Sequence, residues 1–145
     1  MDSNIPKALE NASYIRLIAG IALLLVFVAV WIGLDFSFAV APLVVGIFLL
    51  ITGIQIHLIA LKGNYRVLEG MCTKVIIKRH PTRGKQIRAF LLVTEDGSVY
   101  RFQAGSGVSG LVENCKLKVY ISNDQREYLD GNVKVVSSYL ALWVD

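Results

Sequence analysis

The chain has 145 residues, 54% hydrophobic and 18% charged, with a mean hydropathy of +0.55. Soluble domains average about 45–50% apolar and about 25% charged residues, so the composition excludes a disordered chain and a wholly soluble one. Two cysteines exclude a disulfide-dense scaffold, and the location of the net charge of +4 matters more than its size.

Residues 1–14 form a short N-terminal segment. Residues 17–34 then run without a charge between Arg16 and Asp35, and residues 36–61 make a second run without Asp, Glu, Lys or Arg. A helix needs about 20 mainly apolar residues to cross a bilayer, so both runs qualify. The linker Gly33-Leu34-Asp35-Phe36-Ser37 joins them tightly, which predicts a transmembrane α-helical hairpin over residues 15–62. Pro42 falls near the start of the second helix, where a missing N–H costs little. Ala39-Val40-Ala41 has the small-x-small pattern of a signal-peptide cleavage site. A signal h-region spans only about 7–15 residues, however, so an uncleaved hairpin is expected. Lys7, Arg16, Lys62 and Arg66 flank the hairpin and its outer loop has no basic residue. The positive-inside tendency then predicts an inner-membrane, multi-pass chain with both termini cytoplasmic. In that compartment Cys72 and Cys115 are expected to be reduced, as small core residues.

Ala39, Gly46, Gly53 and Ala60 recur every seven residues and share one stripe of the second helix. Small residues let helices approach closely in lipid. The stripe serves packing either within the hairpin or between protomers; Ala29 and Gly33 add a small-xxx-small pair on the first helix. Thr52, Gln55 and His57 are the polar residues of the second span. His57 either reaches the cytoplasmic interface or serves as a pH-sensitive or pore-lining group.

From residue 62 onward the chain carries 13 Lys or Arg against 8 Asp or Glu, a net +5. The pattern shifts to short alternating runs. Strands are predicted at 71–79, 86–94, 99–103, 116–122, 133–137 and 139–144, with a hairpin turn at Glu95-Asp96-Gly97-Ser98 and another at Asp130-Gly131-Asn132. One helical turn is expected near residues 109–114. About six short strands predict an all-β domain over residues 64–145, a small antiparallel β-barrel held directly beneath the bilayer.

Between Glu69 and Glu95 there is no acidic residue, while Lys74, Lys78, Arg79, His80, Arg83, Lys85 and Arg88 all lie in that interval. Such a run is a solvated hairpin, a contact for anionic headgroups or a phosphate site. Gly105, Ser106, Gly107, Ser109 and Gly110 make a G-x-G-x-x-G pattern. A strand follows instead of a long helix, which rejects a dinucleotide-binding fold. The loop is either a flexible connection or a phosphate cradle of backbone N–H groups. Tyr100 and Tyr120 are candidates for stacking on a nucleobase, while most of the domain's aromatics belong in its core. A single-stranded DNA or RNA partner fits poorly with membrane tethering. No H-E-x-x-H, C-x-x-C or G-x-S-x-G occurs, so no enzyme, metal or cofactor is expected.

A two-helix hairpin followed by a small cytoplasmic β-barrel resembles the membrane effectors of bacterial anti-phage cyclic-oligonucleotide defence, of the CBASS and Panoptes type. The resemblance implies a barrel that binds a cyclic di- or oligonucleotide, a homo-oligomer, and helices that breach the inner membrane. The ligand either triggers or restrains that breach. It transfers no ligand residue, so the candidate site rests on charge and glycine. A second stretch, Asp96-Gly97-Ser98-Val99-Tyr100 with Lys116-Leu117-Lys118-Val119-Tyr120-Ile121, resembles small membrane-anchored bacterial β domains and implies no activity. A ligand-gated effector and a non-enzymatic membrane adaptor that scaffolds a partner or senses membrane state therefore both stand.

Overall fold

The computed structural model describes residues 5–33, 36–80, 84–104 and 111–144. Two compact units divide between Asn64 and Tyr65. The first holds helices α1 (Lys7–Gly33) and α2 (Phe36–Leu61). α1 starts ten residues before the uncharged run, because the Pro6 carbonyl accepts the N–H groups of Leu9 and Glu10 at 2.9 and 3.1 Å and caps the helix there. At its far end α2 closes on Gly63, whose left-handed φ of +65° favours a residue without a Cβ. The N–H groups of Gly63 and Asn64 return to the carbonyls of Ala60 and Ile59, a Schellman-type cap.

The two helices pack antiparallel along the small-residue stripe. A Cβ on Gly46 would meet the Gly20 carbonyl at 3.2 Å and Leu23 at 3.3 Å, and one on Gly53 would meet Leu17 at 3.0 Å. Ser13, buried, donates its hydroxyl to the Gly53 carbonyl at 3.1 Å. Ala39 and Ala60 are buried as well. Of the two uses open to the stripe, the hairpin's own packing is the one observed. Ala29, by contrast, is exposed, and Gly33 opens onto free space. Thr52 bonds back to the carbonyls of Phe48 and Leu49, so its polarity is satisfied within α2.

The second unit is a seven-stranded sheet: β1 (Tyr65–His80), β2 (Gly84–Thr94), β3 (Val99–Gln103), β4 (Lys116–Ser122), β5 (Glu127–Asp130), β6 (Val133–Val136) and β7 (Ala141–Val144). Their order is β5-β6-β3-β2-β1-β4-β7. The expected antiparallel barrel is not what forms. β5 pairs only with β6 and β7 only with β4, so two edges remain, and β3 pairs with β6 in parallel. After β4 the chain crosses to the far side of the sheet, and that crossing reverses the sense of β6 relative to β3. The sheet nonetheless curls, since Arg66 on β1 forms an ion pair with Glu127 on β5. Two further differences come from length. β1 begins six residues earlier than its Val- and Ile-rich part. The short strand β5 was hidden by its lack of alternation. Residues 111–114 form a turn and not a helical one, with Asn114 at φ +67°.

One contiguous core fills the concave side. Cys72, Phe90, Leu92, Phe102, Leu117, Val119, Ile121 and Val136 are fully buried there. Phe90 and Phe102 stack at 5.2 Å, and Tyr139 meets both edge-on. Tyr139 lies on the segment from β6 to β7, which the Leu140 N–H ties to the Tyr120 carbonyl at 2.8 Å.

Candidate functional site

The ladders end at different places, and this builds the candidate site. β4 stays beside β1 only as far as Met71, and β3 stays beside β2 only as far as Ala89. The β1–β2 ladder continues alone to His80 and Gly84. A two-stranded arm therefore projects beyond the rest of the sheet. Two irregularities bend it. Thr73 is the extra residue on β1 between Cys72 and Lys74, and Arg88 the extra residue on β2 opposite the Ile76–Ile77 step.

The arm collects much of the predicted basic cluster. Lys78 and Arg88 are exposed on it, and Lys74 is exposed nearer the sheet, where β3 still accompanies β2. Register sets Lys78 opposite Gln86, Arg79 opposite Lys85 and His80 opposite Gly84. Arg83, Gly105, Ser106, Gly107 and Ser109 lie outside the described residues. Ile77, 53% exposed, gives the arm an apolar surface as well. At its root the Glu113 carboxylate accepts the Val75 N–H at 3.1 Å.

The two tyrosines expected to stack on a base sit elsewhere. Tyr100 is in the core beside Phe102, and the Lys134 ammonium lies over its ring at 5.1 Å and donates to its hydroxyl at 3.3 Å. That hydrogen bond raises the Lys134 pKa. Tyr120 is buried against Tyr65, with ring centroids 6.1 Å apart. Sequence alternation showed which strands these tyrosines occupy but not that both would be buried.

Two concave places occur on the same unit. A cleft of about 460 Å³ lies where β1, β2 and β4 run side by side, lined by Glu69, Met71, Thr73, Val93, Lys116 and Lys118 among others. Glu69 and Lys118 pair across it at 3.0 Å, which leaves its charge nearly balanced. The alternation of Lys116 and Lys118 with Leu117 and Val119 was the one sequence signal for this wall. A neighbouring hollow of about 310 Å³ is lined by Glu69, Glu95, Asp96 and Tyr100 and is acidic. Asp96 is held below the ordinary carboxylate range by the Thr94 hydroxyl first, then by the Ser98 hydroxyl and N–H. Neither place carries an excess of basic side chains. No group of three or more His, Cys, Asp or Glu that could hold a metal occurs among the described residues.

Comparison with family models, curated proteins and solved structures gives no match to this chain. Function is argued below from the chain's own chemistry.

Proposed function

We propose that the chain is a non-enzymatic membrane effector, whose β domain binds a phosphate-bearing ligand of the cyclic-nucleotide class on the basic arm and thereby controls association of the helices. The observation that supports it most is the arm itself. It carries exposed Lys78 and Arg88 on a ladder whose register also sets Arg79 opposite Lys85, with no acidic residue in its own two strands. Clustered guanidinium and ammonium groups hold phosphate by charge-assisted hydrogen bonds.

The membrane part of the reading rests on exposure. Helices of 27 and 26 residues reach about 40 Å, more than the roughly 30 Å hydrocarbon core. Only 6% of the apolar window of α1 is buried, whereas the core helix of a soluble protein is mostly buried. Ile18, Leu25, Ile32, Phe48 and Ile51 would otherwise face water. In this reading the chain sits in the inner membrane with both termini cytoplasmic. Because the Gly46–Gly53 stripe is occupied within the hairpin, protomers associate through the outward face of α1 that carries Ala29 and Gly33. The anti-phage role belongs to the same proposal and comes from the resemblance in architecture.

The test is binding of cyclic di- and trinucleotides to the full chain in detergent micelles. Lys78→Glu with Arg88→Glu should weaken the best of them at least tenfold, about 1.5 kcal/mol for a lost charged hydrogen bond. Equal affinity, or no binding by any member of the panel, would overturn the reading. A second reading, a membrane-anchored adaptor, is favoured by edge strand β5, where Leu129 is 77% exposed. It predicts no nucleotide binding and loss of a protein partner on Leu129→Glu.

A further inference from the structure

The two cysteines of the chain meet across a bulge. β1 and β4 keep register from Tyr65↔Ser122 to Met71↔Lys116. One residue further the Cys72 N–H donates to the Cys115 carbonyl at 2.9 Å, while the Asn114 N–H donates to the Cys72 carbonyl at 2.7 Å. Asn114 has a φ of +67°. This is the hydrogen-bond pattern of a G1-type bulge, with Asn114 in the position usually held by glycine. Asn114 and Cys115 together oppose Cys72. Both side chains share one packing region, Cys72 within the core cluster and Cys115 packed against that cluster. Directly opposed residues on antiparallel strands have Cα atoms about 4.5–5.5 Å apart, inside the roughly 4.4–6.8 Å that a disulfide spans.

We propose that Cys72 and Cys115 form a redox modification site, a dithiol that hydrogen peroxide converts to an intramolecular disulfide. Cys115 is partly exposed and Cys72 fully buried, so the order of events follows from access. The Cys115 thiolate attacks one peroxide oxygen. The O–O bond breaks, hydroxide leaves and takes up a proton as water, and Cys115 becomes a sulfenic acid. The Cys72 sulfur then attacks the Cys115 sulfur. The S–S bond forms, the S–O bond breaks, and the Cys72 thiol proton leaves with the hydroxide as a second water. Peroxide gains two electrons, one from each sulfur. Burial first, then the neighbouring Cys115, pushes the Cys72 thiol up to about 11, which keeps it from reacting with peroxide first. The bond fastens the root of the basic arm, where β1 parts from β4, whatever the arm binds.

The reduced full chain in detergent micelles is treated with hydrogen peroxide, then denatured, alkylated with N-ethylmaleimide and weighed intact. The expected product has lost two hydrogens, takes up no maleimide and regains two alkylation sites after dithiothreitol. In Cys72→Ala, dimedone should instead trap a sulfenic acid on Cys115. Two maleimides on the oxidised wild type, a sulfinic acid on Cys115, or disulfides only between chains would each overturn the proposal. The wild-type measurement stands whether or not the variant folds.

Discussion

Gly70 lies where β1 is flanked on both sides, by Thr94 on β2 and Leu117 on β4. A Cβ built there would lie 2.2 Å from the Val93 carbonyl oxygen, 2.8 Å from its carbon and 3.1 Å from the Thr94 Cα. All three are backbone atoms, so no side-chain rotation relieves the contact. Restoring an ordinary separation takes a shift of about 1 Å in a strand held by two ladders, and overpacking of this kind costs typically 1–3 kcal/mol. The lower entropy of the unfolded alanine chain returns about 0.4–1 kcal/mol. Because the contacts are with backbone, the cost sits at the top of that range, and Gly70→Ala should destabilise the β domain by about 2 kcal/mol net. With a urea slope of about 1 kcal/mol/M for a small domain, the midpoint falls by about 2 M. Urea-dependent proteolysis of the full chain in micelles reads this, because cleavage follows opening of the β domain. Gly97→Asn is the companion, since Gly97 sits at φ +78° with open space around it and asparagine tolerates that conformation. It should stay close to wild type, whereas Gly70→Asn should be at least as damaging as alanine. A Gly70→Ala midpoint at or above wild type would show that the close approach is not a constraint.

Three further outcomes follow from other parts of the molecule. Gly46→Leu should split the helical hairpin, because even a Cβ there meets the Gly20 carbonyl at 3.2 Å, while Gly33→Leu, with nothing within 4 Å, should leave it intact. Trp31 fluorescence during titration with dodecyl sulfate would compare the two, and equal effects would refute the packing. Asn114→Val should lower the urea midpoint by about 1–2 M, because a β-branched residue at φ +67° is strained, and Asn114→Gly should match or exceed wild type. Cys72 titrates at about 11 in the fold against 9.0 for a free thiol. Its unfolded form ionises first as pH rises, so stability is intact below about 9 and falls between about 9 and 11, by up to about 3 kcal/mol. Unfolding at stepped pH should show that loss, and Cys72→Ala should abolish it.

Much of the architecture is legible in local composition. Uncharged runs of helical length mark α1 and α2. Gly63 marks the end of α2, and Glu95-Asp96-Gly97-Ser98 marks the β2–β3 turn, where Gly97 adopts the left-handed conformation such a turn requires. The alternation of Leu117, Val119 and Ile121 identifies the buried face of β4. The basic interval between Glu69 and Glu95 could be read as a cluster, and the hairpin that carries it could be read from the turn near Gly84.

What was decided only in three dimensions is which elements become neighbours. A glycine stripe has the same spacing whether it meets its own hairpin or another copy, and only the approach of Gly20 and Leu17 distinguishes them. Strand alternation reports one buried face without reporting a partner. The open seven-stranded order, the parallel β3–β6 pair and the burial of Tyr100 and Tyr120 were therefore invisible in the chain. The meeting of Cys72 with Cys115 is of the same kind. It depends on a single extra residue, Asn114, in a left-handed turn, and hydrophobic periodicity carries no information about where two distant strands come into register.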